Sequence, residues 1–405
     1  MKSNYLFVLI LLACGGKEID LSKQTADQAN QRCDEISTEF EQSILDLYPQ
    51  TLTINGYHYK DDQLNDISEA IIQRLVNIGL RAERRLNTEV NRSLLNSDRI
   101  ENEQRINTKI AYFNLLNQHW YQFYSTKPID GVHLSVLNFL TKSHPLDSKK
   151  DVENFIQRVV DCKRKFRSAL KRNQIQLENG FLAPRILVEK TISQMDSILT
   201  IDATTHEFYR RFKRETESLL SRDEKQKYLA DLAYFAKNNL LERLRRWRDF
   251  LANDYLTKSF GSLSVLDLQD GKLLYNELIK FYGDSLDRQI NSGSLQDFKP
   301  DQKIIDQILD TDPVDPSNYL LKLDDNRRTL LINAINSTNQ TESYRQFFDL
   351  LRLIDQDIHQ EGKSIAEIKS RLFENIQITE VDAGQIILIA SEYPAYLRQF
   401  SLLLK

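Results

Sequence analysis

The six histidines of this 405-residue chain are His58, His119, His133, His144, His206 and His359, and acid–base or metal chemistry would have to be built from them. None has another histidine four residues away, so a zinc helix of the HExxH type, which sets two imidazoles on one face, is not encoded. His206-Glu207 is followed by Phe208, Tyr209 and Arg210, and it reads as a chance pair on a helix face. The chain has no GxSxG elbow for a serine nucleophile, no P-loop and no GxGxxG. Two cysteines besides Cys14, namely Cys33 and Cys162, show no CxxC or Cys/His spacing for structural zinc. Cys162 falls on the apolar stripe Val152, Phe155, Ile156, Val159, Cys162, Phe166, the usual setting of a buried free thiol. A Cys33–Cys162 disulfide is the other reading. The residues alone demand no metal, no cofactor and no catalysis.

Basic clusters at Lys163-Arg164-Lys165-x-Arg167 and Arg243-x-Arg245-Arg246-Trp247-Arg248 are read as solvated helix faces paired with Asp161, Glu242 and Asp249. A patch for an anionic ligand or lipid headgroup is the alternative. The formal charge of −4 argues against nucleic-acid binding.

The elements that must position these side chains are helices. With 12 glycines and 8 prolines, Gly plus Pro is about 5 % where ordinary usage gives about 12 %, which leaves few turns for a sandwich, barrel or Rossmann sheet. Apolar residues recur at three- and four-residue steps, so the fold class is all-α, a multi-helix bundle with long antiparallel helices. Helices are expected over 25–47, from Ser68 through Leu86, and over 98–124, 150–177, 184–199, 207–220, 223–256, 272–281, 327–336, 342–360, 365–375 and 381–391. Ser364-x-x-Glu367 has capping-box spacing and Thr379 suits the next N-cap. The interval 127–145, with two prolines and a glycine, reads as the one long loop of the first half.

At the start, Lys2, the apolar run Tyr5 to Leu12 and Ala13-Cys14 resemble a bacterial lipoprotein signal, in which the cysteine sulfur is acylated. Eight apolar residues are too few to span a bilayer. The expected organisation is a signal peptide at 1–13, a tether at 14–24 and an N-terminal helical domain at 25–285. A linker at 286–326 then leads to a C-terminal helical segment at 327–405 that packs on the first domain. Cys14 is the expected lipidation site, carrying diacylglycerol and palmitate, and the membrane is the expected partner through that lipid. Gly15 is not the aspartate that retains lipoproteins at the inner membrane, so a diderm host would carry the protein on the periplasmic face of its outer membrane.

Local patterns follow one another in a definite order: Tyr48-Pro49, then Gly56-Tyr57-His58-Tyr59-x-Asp61-Asp62-x-Leu64-x-Asp66-x-Ser68, Gly131-Val132-His133-Leu134-Ser135 and Gly180-x-x-x-Pro184-Arg185. Arg246-x-Arg248-Asp249-Phe250-Leu251-x-x-x-Tyr255-Leu256 and the stretch from Leu263-Ser264 to Leu274-Tyr275 continue it. This order resembles the bacterial secreted and lipoprotein family catalogued as domain of unknown function 885. In the tail, Asp355-x-x-x-His359, Gly362, Ser364, Asn375 and Tyr393-Pro394 follow in the family's order, although Asp357 stands where glycine is usual and Arg352 is displaced by one residue. The resemblance implies a helical scaffold whose active members look like zinc peptidases with an HExxH helix and a later glutamate. Here the interval 286–345 contains no histidine. The resemblance therefore implies a pseudo-peptidase, a scaffold that binds a peptide or envelope protein. The alternative is a hydrolase or peptidase with an unrecognised His/Asp site. The candidate cleft residues are His58, Asp61, His133, Arg185, Asp355 and His359. If 128–145 and the C-terminal helices close on one another, a structural or interaction role is favoured. An open aromatic cleft between them would favour peptide binding.

Overall fold

Three helices open the computed structural model and pack on one another: α1 (Ala26–Leu45), α3 (Glu69–Glu89) and α4 (Ser97–His119). The structure describes residues 20–284, 295, 298–309 and 325–403, so the expected signal peptide, Cys14 and most of 286–326 lie outside it. Thr25 and Gln28 form a reciprocal capping box at the start of α1, which turns Ala29, Cys33, Ile36, Phe40 and Ile44 into the core. A short helix, α2 (Pro49–Ile54), precedes α3 and was not expected, because six residues are too few to show a period.

The interval 127–145 is not one loop. Pro128, Gly131 and Pro145 bracket a helix, α5 (Val132–Asn138), which runs on as a π turn over Phe139–Ser143. The central element is α6 (Lys149–Asn179), 31 residues long and therefore about 47 Å at 1.5 Å per residue. It ends at Gly180, whose φ of +75° closes the last turn. After α7 (Arg185–Leu199) and α8 (Glu207–Glu215), the expected single helix over 223–256 is α9 (Arg222–Phe235) and α10 (Glu242–Phe250). They are joined by a π turn, Ala236–Leu241, and followed by a second, Leu251–Tyr255. α6 packs against α9, the first π turn and α10.

The helix α11 (Gly271–Phe281) returns to α4. Within the interval read as a linker, α12 (Gln302–Leu309) buries Ile304, Ile305 and Ile308 and packs on α13 (Asp325–Ser337) and α16 (Glu380–Glu392), so this part is packed structure rather than a spacer. α14 (Thr341–His359) and α15 (Ile365–Asn375) lie between them. Ser364 with Glu367 forms the capping box of α15, and Thr379 caps α16. A 3₁₀ turn, Tyr396–Leu402, closes onto α14. One connected apolar core runs from Ala29 to Leu403, and α16 touches α7 across it. Among the described residues there is no strand, and no helix is long and apolar enough to cross a membrane. Cys33 and Cys162 are both buried free thiols, so the disulfide reading fails.

A row of polar side chains on the inner face of α6 positions the loops. Arg158, Lys165 and Arg172 recur every seven residues, about two turns, and so share a face. The Arg158 guanidinium donates to the carbonyls of Gln63 (2.9 Å), Pro49 and Lys60. Lys165 Nζ donates to Gln50 Oε1 (2.6 Å), which also accepts from Asn65 N, while Gln50 N donates to Asn65 Oδ1. Arg172 donates to the carbonyls of Trp120 (2.8 Å) and Phe123 (2.7 Å), while Gln176 takes those of Tyr121 and Phe123. α4 stops at His119, short of the expected Tyr124, where α6 takes over these carbonyls. The Lys163–Arg167 cluster is thus not wholly a solvated face, since Lys165 points inward and is 3 % exposed.

Burial pushes the Lys165 ammonium down to about 7. Its folded value lies below its unfolded one, so its contribution to stability is full above the unfolded value near 10.5 and is lost as pH falls toward 7. Wild type should therefore gain stability relative to Lys165→Met by about 4 kcal/mol between pH 6 and pH 10, read by urea unfolding. A difference that does not change with pH would show that Lys165 is not buried as described.

Candidate functional site

α6 also holds the approach to the segment 127–133. Asn173 Nδ2 donates to Thr126 Oγ1 (2.8 Å), and Ser125 Oγ donates to Gln176 Oε1 (2.6 Å), which fixes where Lys127 enters. Gly131 then caps α5. A Cβ there would lie 2.1 Å from the Lys127 carbonyl oxygen and 2.6–2.7 Å from the His133 ring, so only glycine fits. His133 is fully buried, its ring edge-on to Trp247. Gln194 Nε2 donates to the Pro128 carbonyl (2.8 Å), which turns Gln194 Oε1 toward His133, and His133 Nε2 donates to it at 2.9 Å. Nδ1 is left without a partner, and burial pushes the imidazole down to about 4, so it stays neutral.

The end of α16 closes onto this segment. Ile129 N donates to Glu392 Oε2 (3.2 Å), and Lys127 Nζ lies 3.6 Å from Asp130 Oδ1 and 4.1 Å from the centre of the Tyr393 ring. Glu392 is 3 % exposed and Tyr393 7 %. Burial, then the charge of Asp130, hold the Glu392 carboxyl well above its ordinary range. For Asp130 burial acts upward, but the charge of Lys127 beside it outweighs burial and holds that carboxyl low. The two carboxyl groups are thus pushed in opposite directions, Glu392 toward the neutral form and Asp130 toward the charged one. The space between the segment after Lys127 and the C-terminal helices is filled at this point.

Asp355 and His359, one turn apart on α14, form a second buried network. Tyr275 Oη donates to Asp355 Oδ2 (2.6 Å) and Ala395 N to Oδ1 (2.8 Å), holding Ala395 at φ +66°. Val265 N donates to His359 Nδ1 (3.1 Å), and His359 Nε2 donates to the Ala390 carbonyl (2.9 Å). Burial lowers the His359 pKa, so the ring is neutral and both its nitrogens serve backbone groups. Arg352 and Arg398 meet at Asp284 Oδ2 (2.8 and 2.9 Å), and Arg398 also comes within 3.8 Å of Asp355.

The third network is under α2. Arg158, Thr53 and Asp61 bond to one another, with Arg158 Nη2 at 3.3 Å from Asp61 Oδ1. His144 Nδ1 accepts from Arg158 Nη1 (2.6 Å) while Nε2 donates to the Asp151 carbonyl, and burial together with Arg158 pushes that imidazole down to about 3. His58 reaches Asp61 Oδ2 from outside (2.8 Å), with 55 % of its side chain exposed. Arg185 is exposed and lies 3.8 Å from Glu189, while its N–H donates to the Phe260 carbonyl.

Of the six expected cleft residues, the fold pairs His58 with Asp61 and Asp355 with His359, while His133 and Arg185 bond to other partners. Among the described residues no three His, Cys, Asp or Glu side chains are grouped to hold a metal. The zinc implied for active members of the family does not fit this donor set, because His359 has no free nitrogen and the single free nitrogen of His133 lies against Gly131. Sequence reasoning missed Lys127, Asp130 and Glu392. The one signal for them was that the Gly131-Val132-His133 and Tyr393-Pro394 patterns flank these residues.

The family model for bacterial proteins of unknown function, DUF885, matches residues 49–367. The chain belongs to this family. Membership covers α2 through the start of α15 and so includes Asp61, His133, Asp355 and His359. A crystal structure of a candidate lipoprotein from Colwellia psychrerythraea shares the fold, with a TM-score of 0.67 and 9 % identity over 93 % of this chain and 91 % of that one. No curated protein matches the chain.

Because the folded Glu392 pKa is raised above its unfolded value, its contribution is full below about pH 4 and is lost as pH rises through the folded value. Glu392→Gln should therefore lose less stability than wild type between pH 5 and pH 9, by on the order of 2 kcal/mol in urea unfolding. Equal losses would show that burial does not raise the Glu392 carboxyl. Gly131→Ala should cost at least about 2 kcal/mol through its clash with the Lys127 carbonyl, and a melting temperature equal to wild type would contradict the tight turn.

Proposed function

We propose that the protein is a lipid-anchored, non-catalytic scaffold of the cell envelope that binds a peptide or protein. One observation carries the non-catalytic part: both nitrogens of His359 and both oxygens of Asp355 are spent on internal bonds. A metal or substrate would have to displace backbone partners of α16 and of the turn at Val265, leaving buried groups unpaired at about 1–3 kcal/mol each. The contact of Ile129 with Glu392 closes part of the space between 128–145 and the C-terminal helices, which supports an interaction role. The anchoring part rests on Leu11-Leu12-Ala13-Cys14 and on likeness to a candidate lipoprotein. Gly15 after the cysteine favours the outer membrane in a diderm host.

Elemental analysis of the purified mature protein should find no stoichiometric zinc, and peptide libraries should remain uncut. Stoichiometric zinc that is lost in His133→Ala or His359→Ala would overturn the non-catalytic reading. In cells fed labelled palmitate, the wild-type chain should take up label and fractionate with membranes, whereas Cys14→Ser should do neither. Label retained by Cys14→Ser would remove the anchor.

A further inference from the structure

An open groove of about 770 Å³ lies between the end of α1, the α2–α3 connection, α3 and the middle of α6. Five cations line it, Lys60, Arg74, Lys163, Arg164 and Arg167, in a chain whose overall charge is −4. Four carboxylates also reach it, but three are already engaged. Asp46 accepts from Tyr59 Oη and Gln42 Nε2. Asp161 and Asp66 both pair with Arg164, at 2.7 and 3.3 Å. Only Asp62 is left, against Arg74, Lys163 and Arg167, none of which has an ion-pair or hydrogen-bond partner among the described residues. Lys163 and Arg167 are four residues apart on α6, a like-charge pair that weakens a helix rather than supporting it. Their neighbour Lys165 points inward to Gln50, so α6 turns only its outer cations to the groove.

We propose that this groove binds a phosphate-bearing organic ligand. Five cations against four carboxylates leave a surplus of positive charge, and two of the three unpaired cations are guanidinium groups, whose planar fork matches phosphate oxygens. The volume is far larger than a bare phosphate and falls in the range of organic-ligand sites. Leu47, Pro49, Leu64 and Val160 line the groove beside the cations and offer apolar contact to the body of such a ligand. A soluble phosphate ester and a phospholipid headgroup share this chemistry. The assignment stands on the groove alone and does not depend on the scaffold reading.

The test uses the full chain carrying Cys14→Ser, so that an attached lipid does not itself bind vesicles. Titration calorimetry with pyrophosphate and glycerol 3-phosphate reads the soluble source. Co-sedimentation with phosphatidylcholine vesicles, with and without phosphatidylglycerol, reads the headgroup. Binding in either arm should fall at least about tenfold in the triple variant Arg74→Gln/Lys163→Gln/Arg167→Gln, at roughly 1 kcal/mol per cation. It should change less than about twofold in Arg81→Gln/Lys190→Gln/Arg245→Gln, which removes the same charge from exposed positions outside the groove. All six positions are exposed, so both variants should remain folded, which circular dichroism checks. Binding in the calorimeter alone assigns a soluble ester, and binding only to phosphatidylglycerol vesicles assigns a headgroup. No binding in either arm, or equal losses in the two triple variants, would overturn the proposal.

Discussion

A backbone carbonyl that leaves a helix inside a protein must find a donor, and in this fold the inner face of α6 supplies it. Arg158 serves Pro49, Lys60 and Gln63, while Arg172 and Gln176 serve the chain after α4. A purely apolar α6 would leave these groups dry and unpaired, and the connections on either side of the first three helices could not lie where they do. The long charged side chains on this face are therefore part of the core. Their stems pack and their heads close the loops.

The C-terminal half repeats this logic with a histidine and acids. His359 bridges the turn at Val265 and the last turn of α16, and Asp355 holds Ala395 in a conformation that residues other than glycine rarely adopt. Residues that in another setting would be read as a base and its orienting acid are here consumed in closing the chain. The Asp130–Glu392 pair differs, because burial and the Lys127 charge push its two carboxyl groups in opposite directions. It joins the segment before α5 to the end of α16, so one titrating site spans the first half and the tail of the molecule.

Much of this was legible in the residues. The apolar steps along 26–45 and 149–179, the capping box at Ser364 and Glu367, and the cap at Thr379 are local signals, and the structure has them. What the sequence hid was tertiary. Lys165 sits in a basic run whose other members face water, and only the seven-residue step from Arg158 to Arg172 hints that it turns inward. Proline and glycine around 127–145 mark the ends of α5 rather than a loop, because a helix of seven residues can fit between two breakers. The internal partners of His133 and His359 were hidden for a similar reason. Residue type and order carry no information about which nitrogen a buried backbone group will occupy.

The donors of α6 act on main-chain oxygens, which every residue type carries. The connections they clamp can therefore change composition almost freely, provided a carbonyl stays in place, while the clamping side chains cannot be exchanged without moving the chain. An architecture held in this way can drift far in sequence and keep its shape, in keeping with a shared fold at 9 % identity. It also leaves the outer surface of the same helix open to take on new ligands without disturbing the interior.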